Sequence, residues 1–313
     1  MQRKGSAFRG LGVVILKELS DHLAGWRMFV LEWLIAITAV VSVYGAIQQI
    51  RDSTAEDPFL LLRLFTRGTP LPFVAWLSFL VPLVSIGLGF DLVNSEHNQR
   101  TLSRVLSQPI YRDALLFGKF LAGLATIAIS LLALWLLLIG LGLVALGIPP
   151  SAEEVGRTLV FLLVTIAYAG VWLALALLLS ILFRSAATAA LAALGLWLFL
   201  TFLWAPIVAN FLTPSDDVLA ALQTQLVLGR VSPSTLFSEI VAVILDPSLR
   251  STQQSIFSQM GFMLLERGAV PGAPIPLLQS VQVVWGQIVG LVAATILLFV
   301  TGYVVFQRQE VRA

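Results

Sequence analysis

Apolar residues come in long unbroken runs along this chain, not in the period-two alternation of half-buried strands. A bilayer core of about 30 Å takes roughly 20 apolar residues in helical form. Runs at 28–47, 72–92, 114–146, 158–183, 187–212 and 281–306 meet that requirement. They predict six membrane-spanning helices, because an open sheet edge leaves its backbone unsatisfied in lipid. The third run is longer than a bilayer needs, which predicts tilt or extension into the headgroups. Trp204 and Pro206 near the end of the fifth predict a kink. The first run is too long and too extensively flanked by basic residues for a cleaved leader, and predicts a retained signal anchor.

Three segments outside these runs carry a helical pattern of their own. In 6–23, Phe8, Leu11, Ile15, Leu19 and Leu23 recur every three or four positions, with Arg9, Lys17, Ser20 and Asp21 off the stripe. That is an amphipathic helix lying in the interface plane, or a basic flank that only orients the first span. In 94–113, Asn94 or Ser95 can cap a helix; Leu102, Val105 and Leu106 make a short apolar face. Arg100 and Arg104 share another face, Pro109 ends the helix, and Asp113 can cap the next span. This segment is either a docking helix for a partner or a solvated loop whose arginines serve topology.

The third segment is 213–279. Ser232-Pro233 is a start signal, followed by a stripe of Phe237, Ile240, Val241, Ile244 and Leu245. Asp246-Pro247 starts again, and Leu249, Ile256, Phe257, Met260 and Leu264 continue until Gly268 and the PGAPIP run. Two amphipathic helices on the outer surface are expected, packed as a lid or lying on the leaflet. The mixed-charge segment 48–71 offers no site.

Composition narrows the class. Only 12% of the 313 residues are charged, against roughly 25% in soluble domains, and mean hydropathy is +0.94. A soluble enzyme and a disordered chain are excluded, and with no cysteine so are a disulfide scaffold and any thiol chemistry. Of the 19 Lys and Arg, 12 fall on the side of the termini and 7 on the other, which predicts cytoplasmic termini.

Enzymatic motifs are missing. No GxxxxGK[ST] exists to cradle nucleotide phosphates, no HExxH exists to hold zinc, and His22 and His97 stand apart from any ligand cluster. GLGFD at 87–91 has one residue too many for an intramembrane aspartyl protease, and no second aspartate lies within the apolar runs to share a proton. Glu32 and Asp91 both lie within reach of an interface. The interiors of the third to sixth runs carry no ionisable side chain, which argues against coupling to a proton or sodium gradient. Gly286-x-x-x-Gly290 is a weak helix-packing signal.

Several of these features together resemble the membrane subunits of type-2 ABC transporters. They are the N-terminal amphipathic helix with Lys17-Glu18, the six runs, and segment 90–123 with Glu96, Arg100-Thr101-Leu102, Ser107-Gln108-Pro109, Arg112-Asp113 and Gly118-Lys119-Phe120. SPSTLFSE at 232–239 and FQRQEVR at 306–312 complete the likeness, which is nearest to the branch holding the membrane subunit of the nitrous-oxide-reductase maturation transporter.

The resemblance implies an all-α polytopic membrane protein: six transmembrane helices, an N-terminal amphipathic elbow helix, a cytoplasmic coupling helix and a small helical extracytoplasmic segment. The corresponding regions are 1–27, 28–212 with the coupling loop at 94–113, 213–279 and 280–313. It implies an ATP-driven exporter of the cytoplasmic membrane. This chain is then non-catalytic and holds no cofactor, ATP and Mg being bound by a dimer of ABC ATPase subunits. A second copy or a homologous permease completes the pathway, and no nucleic acid takes part. The implied ATPase-coupling residues are Glu96, Arg100, Thr101, Leu102, Arg104, Val105, Leu106, Gln108, Pro109 and Arg112. The implied elbow residues are Phe8, Leu11, Ile15, Lys17, Glu18 and Leu19. The alternative is an ABC-driven assembly or signalling module acting on an extracytoplasmic partner through 213–279.

Overall fold

A computed structural model describes residues 10–52, 59–94, 112–147, 149–212, 218–249 and 274–308. Among these residues every regular element is a helix. The chain runs through α1 (Leu11–Leu23), α2 (Trp26–Asp52), α3 (Leu60–Thr66), α4 (Phe73–Gly89) and α5 (Arg112–Leu146). It continues through α6 (Ala152–Leu182), α7 (Ala186–Leu212), α8 (Val218–Gly229), α9 (Pro233–Leu245), α10 (Leu277–Val283) and α11 (Trp285–Arg308).

Five helices, α2, α5, α6, α7 and α11, are long and apolar enough to cross a membrane. The expected second span is α4, whose 17 residues give about 25 Å, the short limit for crossing. α6 is the axis of the bundle: 78% of its apolar window is buried, against 17% in α7 and in α11. Phe161, Tyr168 and Trp172 fill its contacts, and its small residues admit close neighbours. A Cβ added at Gly89 of α4 would stand 2.6 Å from the Cβ of Ala176, so glycine permits that crossing. The outer helices turn Trp33, Ile37, Leu136, Leu191 and Ile296 outward, as lipid-facing surfaces do.

α6 begins before its hydrophobic run because Ser151 and Glu154 form a capping box. Where a kink is expected, α7 carries two π-helical turns, Phe199–Leu203 and Val208–Leu212, on either side of Pro206. Proline lacks the N–H that the carbonyl one turn earlier would accept, and the widened turns absorb the mismatch. Trp204 Nε1 donates to the Leu228 carbonyl at 2.8 Å and ties α7 to α8.

The stripe at 237–245 does form a helix, α9, starting at Ser232-Pro233 as expected, but it does not lie on a surface. α8 and α9 make a hairpin bent by 109°. Ser234 Oγ meets the Tyr168 hydroxyl at 3.0 Å, and the Ile244 carbonyl accepts from Arg157 at 2.8 Å. α9 therefore runs antiparallel to the first half of α6, and its N-terminal end reaches the middle of that helix. Phe237, Ile240, Val243 and Ile244 are fully buried. Gly290 of the GxxxG pair packs against Leu236 of α9, whereas a Cβ added at Gly286 would meet no atom of the described residues within 4 Å. The second helix expected at 249–264 lies, past Leu249, outside the described residues.

Candidate functional site

One end of the bundle carries α1 and both ends of the 95–111 loop. α1 lies along the first turns of α5. Val14 and Glu18 face it and are buried; Leu11, Ile15 and Leu19 are half-buried, and Lys17 is exposed. The buried face is thus rotated from the expected Leu11–Ile15–Leu19 stripe. The cause is a charge that a hydropathy pattern does not register. Lys119 Nζ, itself buried, donates to Glu18 Oε1 at 3.1 Å, and Lys17 Nζ donates to the same oxygen at 3.1 Å. With its charge matched, Glu18 can occupy the centre of the contact.

Gly118 completes the seat. A Cβ there would lie 2.6 Å from Val14 Cγ1 and 2.9 Å from Val14 Cβ, so the two helices touch backbone to side chain. Phe120 points the other way, with its ring 4.8 Å from Phe299 of α11. Gly118-Lys119-Phe120 therefore has a physical account: two residues seat α1 and the third packs on α11.

The loop is anchored on both sides. Before it, the backbone N–H groups of Val93 and Asn94 donate to Ser180 Oγ at 3.2 and 3.3 Å, near the end of α6. After it, Asp113 does not cap α5; it sits in the first turn, and its Oδ1 accepts from Tyr303 at 2.9 Å and from Gln307, both on α11. Glu96, Arg100, Thr101, Leu102, Arg104, Val105, Leu106, Gln108 and Pro109 lie outside the described residues, as does Phe8. Arg112 opens α5. Sequence reasoning missed Ser180 and Tyr303, whose partners lie 87 and 190 residues away.

The opposite end is held by Arg157 of α6, which is fully buried. It donates to Glu153 Oε1 at 3.0 Å, the Ile244 carbonyl at 2.8 Å, Ser280 Oγ at 3.2 Å and the Ile275 carbonyl. Glu153 also accepts from the Leu277 N–H at 3.1 Å. One guanidinium thus joins α6, the end of α9 and the start of α10. Deeper along α9, buried Glu239 accepts from Arg230 at 3.1 Å and from Gln287 of α11 at 2.9 Å. Among the described residues no group of three or more His, Cys, Asp or Glu is placed to hold a metal ion.

The family model described as "ABC-2 family transporter protein" matches residues 13–311. The chain belongs to the ABC-2 transporter family. Its similarity to a curated relative, the probable ABC transporter permease protein NosY of Pseudomonas aeruginosa, is 30% identity over 192 residues. That stretch covers 60% of this chain and 66% of the relative, just under two thirds of its length. This ABC-2 chain is accordingly a multi-pass transmembrane subunit of an ABC transporter. The family match runs from within α1 to beyond the end of α11.

Proposed function

We propose that this chain is the permease subunit of an ATP-driven exporter of the cytoplasmic membrane, worked by two separate ATPase subunits that hold ATP and Mg. The observation that carries the reading is the anchoring of both ends of the 95–111 loop, to Ser180 on one side and to Tyr303 and Gln307 on the other. Motion delivered to either end of that segment has a defined route into the bundle. It is passed to α4 and α5 directly, and to α6 and α11 through the anchors.

The distribution of Lys and Arg supports placing this end, and both termini, in the cytoplasm. The segment from Glu96 to Pro109 then meets the ATPase. Leu102, Val105 and Leu106 fill a cleft on it, and Arg100, Arg104 and Arg112 meet acidic or carbonyl groups. Thr101 and Gln108 add polar contacts, and α1 approaches the same partner. A second copy or a homologous permease closes the pathway.

Arg104→Glu combined with Leu102→Asp is expected to weaken the complex by roughly tenfold or more, the scale of reversing a charge at a contact. The ATPase would no longer co-purify and coupled ATP turnover would fall, while membrane insertion and the unfolding midpoint stayed at wild-type values. Co-purification and turnover surviving both changes would remove the coupling role of this segment.

A further inference from the structure

We propose that the cleft between α2, α4 and α5 binds an amphiphile whose cationic ammonium head pairs with Glu32 and whose apolar tail lies along Ile35, Val84 and Leu134. The cleft has a volume of about 350 Å³, within the range of small-molecule sites. Met28, Ile35, Val81, Val84, Ile127 and Leu134 give it an apolar lining, and they are buried. From Met28 to Ala36 it extends about 12 Å along α2.

Glu32 breaks that lining. A carboxyl this close to the end of an apolar span either reaches for the interface or is answered by a donor or a cation. Its Oε1 accepts from Ser130 Oγ at 2.8 Å, and Ser130 also lies 3.1 Å from the Thr126 carbonyl, so one hydroxyl proton serves two acceptors. A carboxylate offers about four acceptor positions. Among the described residues Oε2 has no hydrogen-bond donor, and the ion pairs formed elsewhere in the bundle do not include Glu32. The unused acceptor capacity at the head of an apolar slot matches a ligand with a positive, donating head and a hydrocarbon tail. An anionic or merely apolar ligand would leave the carboxylate unanswered or repel it.

The role of such a molecule as cargo rests on the export reading; its binding does not. The test therefore uses the full chain alone, in neutral maltoside micelles and without ATPase. Three fluorescent probes with one tail length are titrated: an alkylammonium, its uncharged amide and an alkylsulfonate. The ammonium is expected to bind about tenfold more tightly than the amide, the scale of one charge-assisted pair. Glu32→Gln should erase that preference, Glu32→Asp should retain part of it, and Ala36→Trp should weaken every probe by filling the cleft. Unfolding midpoints of the variants separate a lost site from a lost fold. Equal binding of the three probes, or a preference unchanged in Glu32→Gln, would overturn the proposal.

Discussion

Lys119→Met is expected to release α1 from α5. The substitution leaves Glu18 at the centre of a helix contact without its buried counter-charge. Breaking one side of such a pair costs about 3–5 kcal/mol. Lys17 remains beside Glu18, but it is exposed and screened by solvent, so it recovers little. Amide hydrogen exchange in 11–23 should accelerate by roughly two orders of magnitude or more, with the spans unaffected. Glu18→Gln added to Lys119→Met removes both charges and should restore most of the protection, because an uncharged pair of similar volume fits the same place. Gly118→Ala should produce the same release by contact alone, since its Cβ meets Val14 at 2.6 Å, and Val14→Ala should relieve it in part.

The same contact sets a pH dependence. Burial by itself would raise Glu18. The Lys119 charge, with the hydrogen bonds from Lys17 and Lys119, outweighs burial and holds the carboxyl below its ordinary value of 4.5. A group lowered in the docked state stabilises docking at every pH above its ordinary value and loses that contribution as pH falls through the lowered one. Protection of α1 should thus be flat above about pH 4.5 and decline below it. The Glu18→Gln, Lys119→Met double variant should show no such decline. Equal acid sensitivity in both proteins would mean that another group governs the docking of α1.

Arg157→Met has an effect of similar size at the far end. It strips donors from Glu153, Ser280 and the carbonyls of Ile244 and Ile275, which the fully buried guanidinium holds together. The expected loss is about 3–5 kcal/mol, concentrated in α9 and α10. Arg157→Lys should recover only part, because an ammonium cannot span four acceptors as a planar fork does. The unfolding midpoint should fall, and exchange should rise in 233–245 and 277–283. A wild-type midpoint with unchanged exchange in α9 would contradict the account of Arg157 as the joint between these helices.

These two charges mark what a sequence pattern can and cannot reveal. The apolar runs are visible because the bilayer demands length and composition, and α2, α5, α6, α7 and α11 answer to them. Arg157 counts as a loop arginine on hydropathy, yet it is fully buried, because its acceptors arrive from 87 and 118 residues away. Glu18 is a charge beside the apolar stripe of α1, and its partner Lys119, which lets it be buried, lies 101 residues on. α9 shows its stripe plainly, but its 13 residues span about 20 Å, too short for a crossing. Nothing local says that the stripe packs on α6 and not on the leaflet. A local signal for the start of α6 was present, the Ser151-x-x-Glu154 box, which hydropathy alone passes over. The loop 95–111 owes its reading to family likeness, and the structure adds where its two ends are held.

Because the chain has no cysteine, single cysteines can report its neighbours without background. In membranes holding the chain together with its ATPase, the most direct test places one cysteine at Arg104 and, separately, one at Leu278, which is 71% exposed at the Arg157 end. A short bifunctional cross-linker should join the Arg104→Cys chain to the ATPase and leave the Leu278→Cys chain unattached. Cross-linking from Leu278→Cys with none from Arg104→Cys would contradict both the orientation of the bundle and the coupling role of its anchored loop.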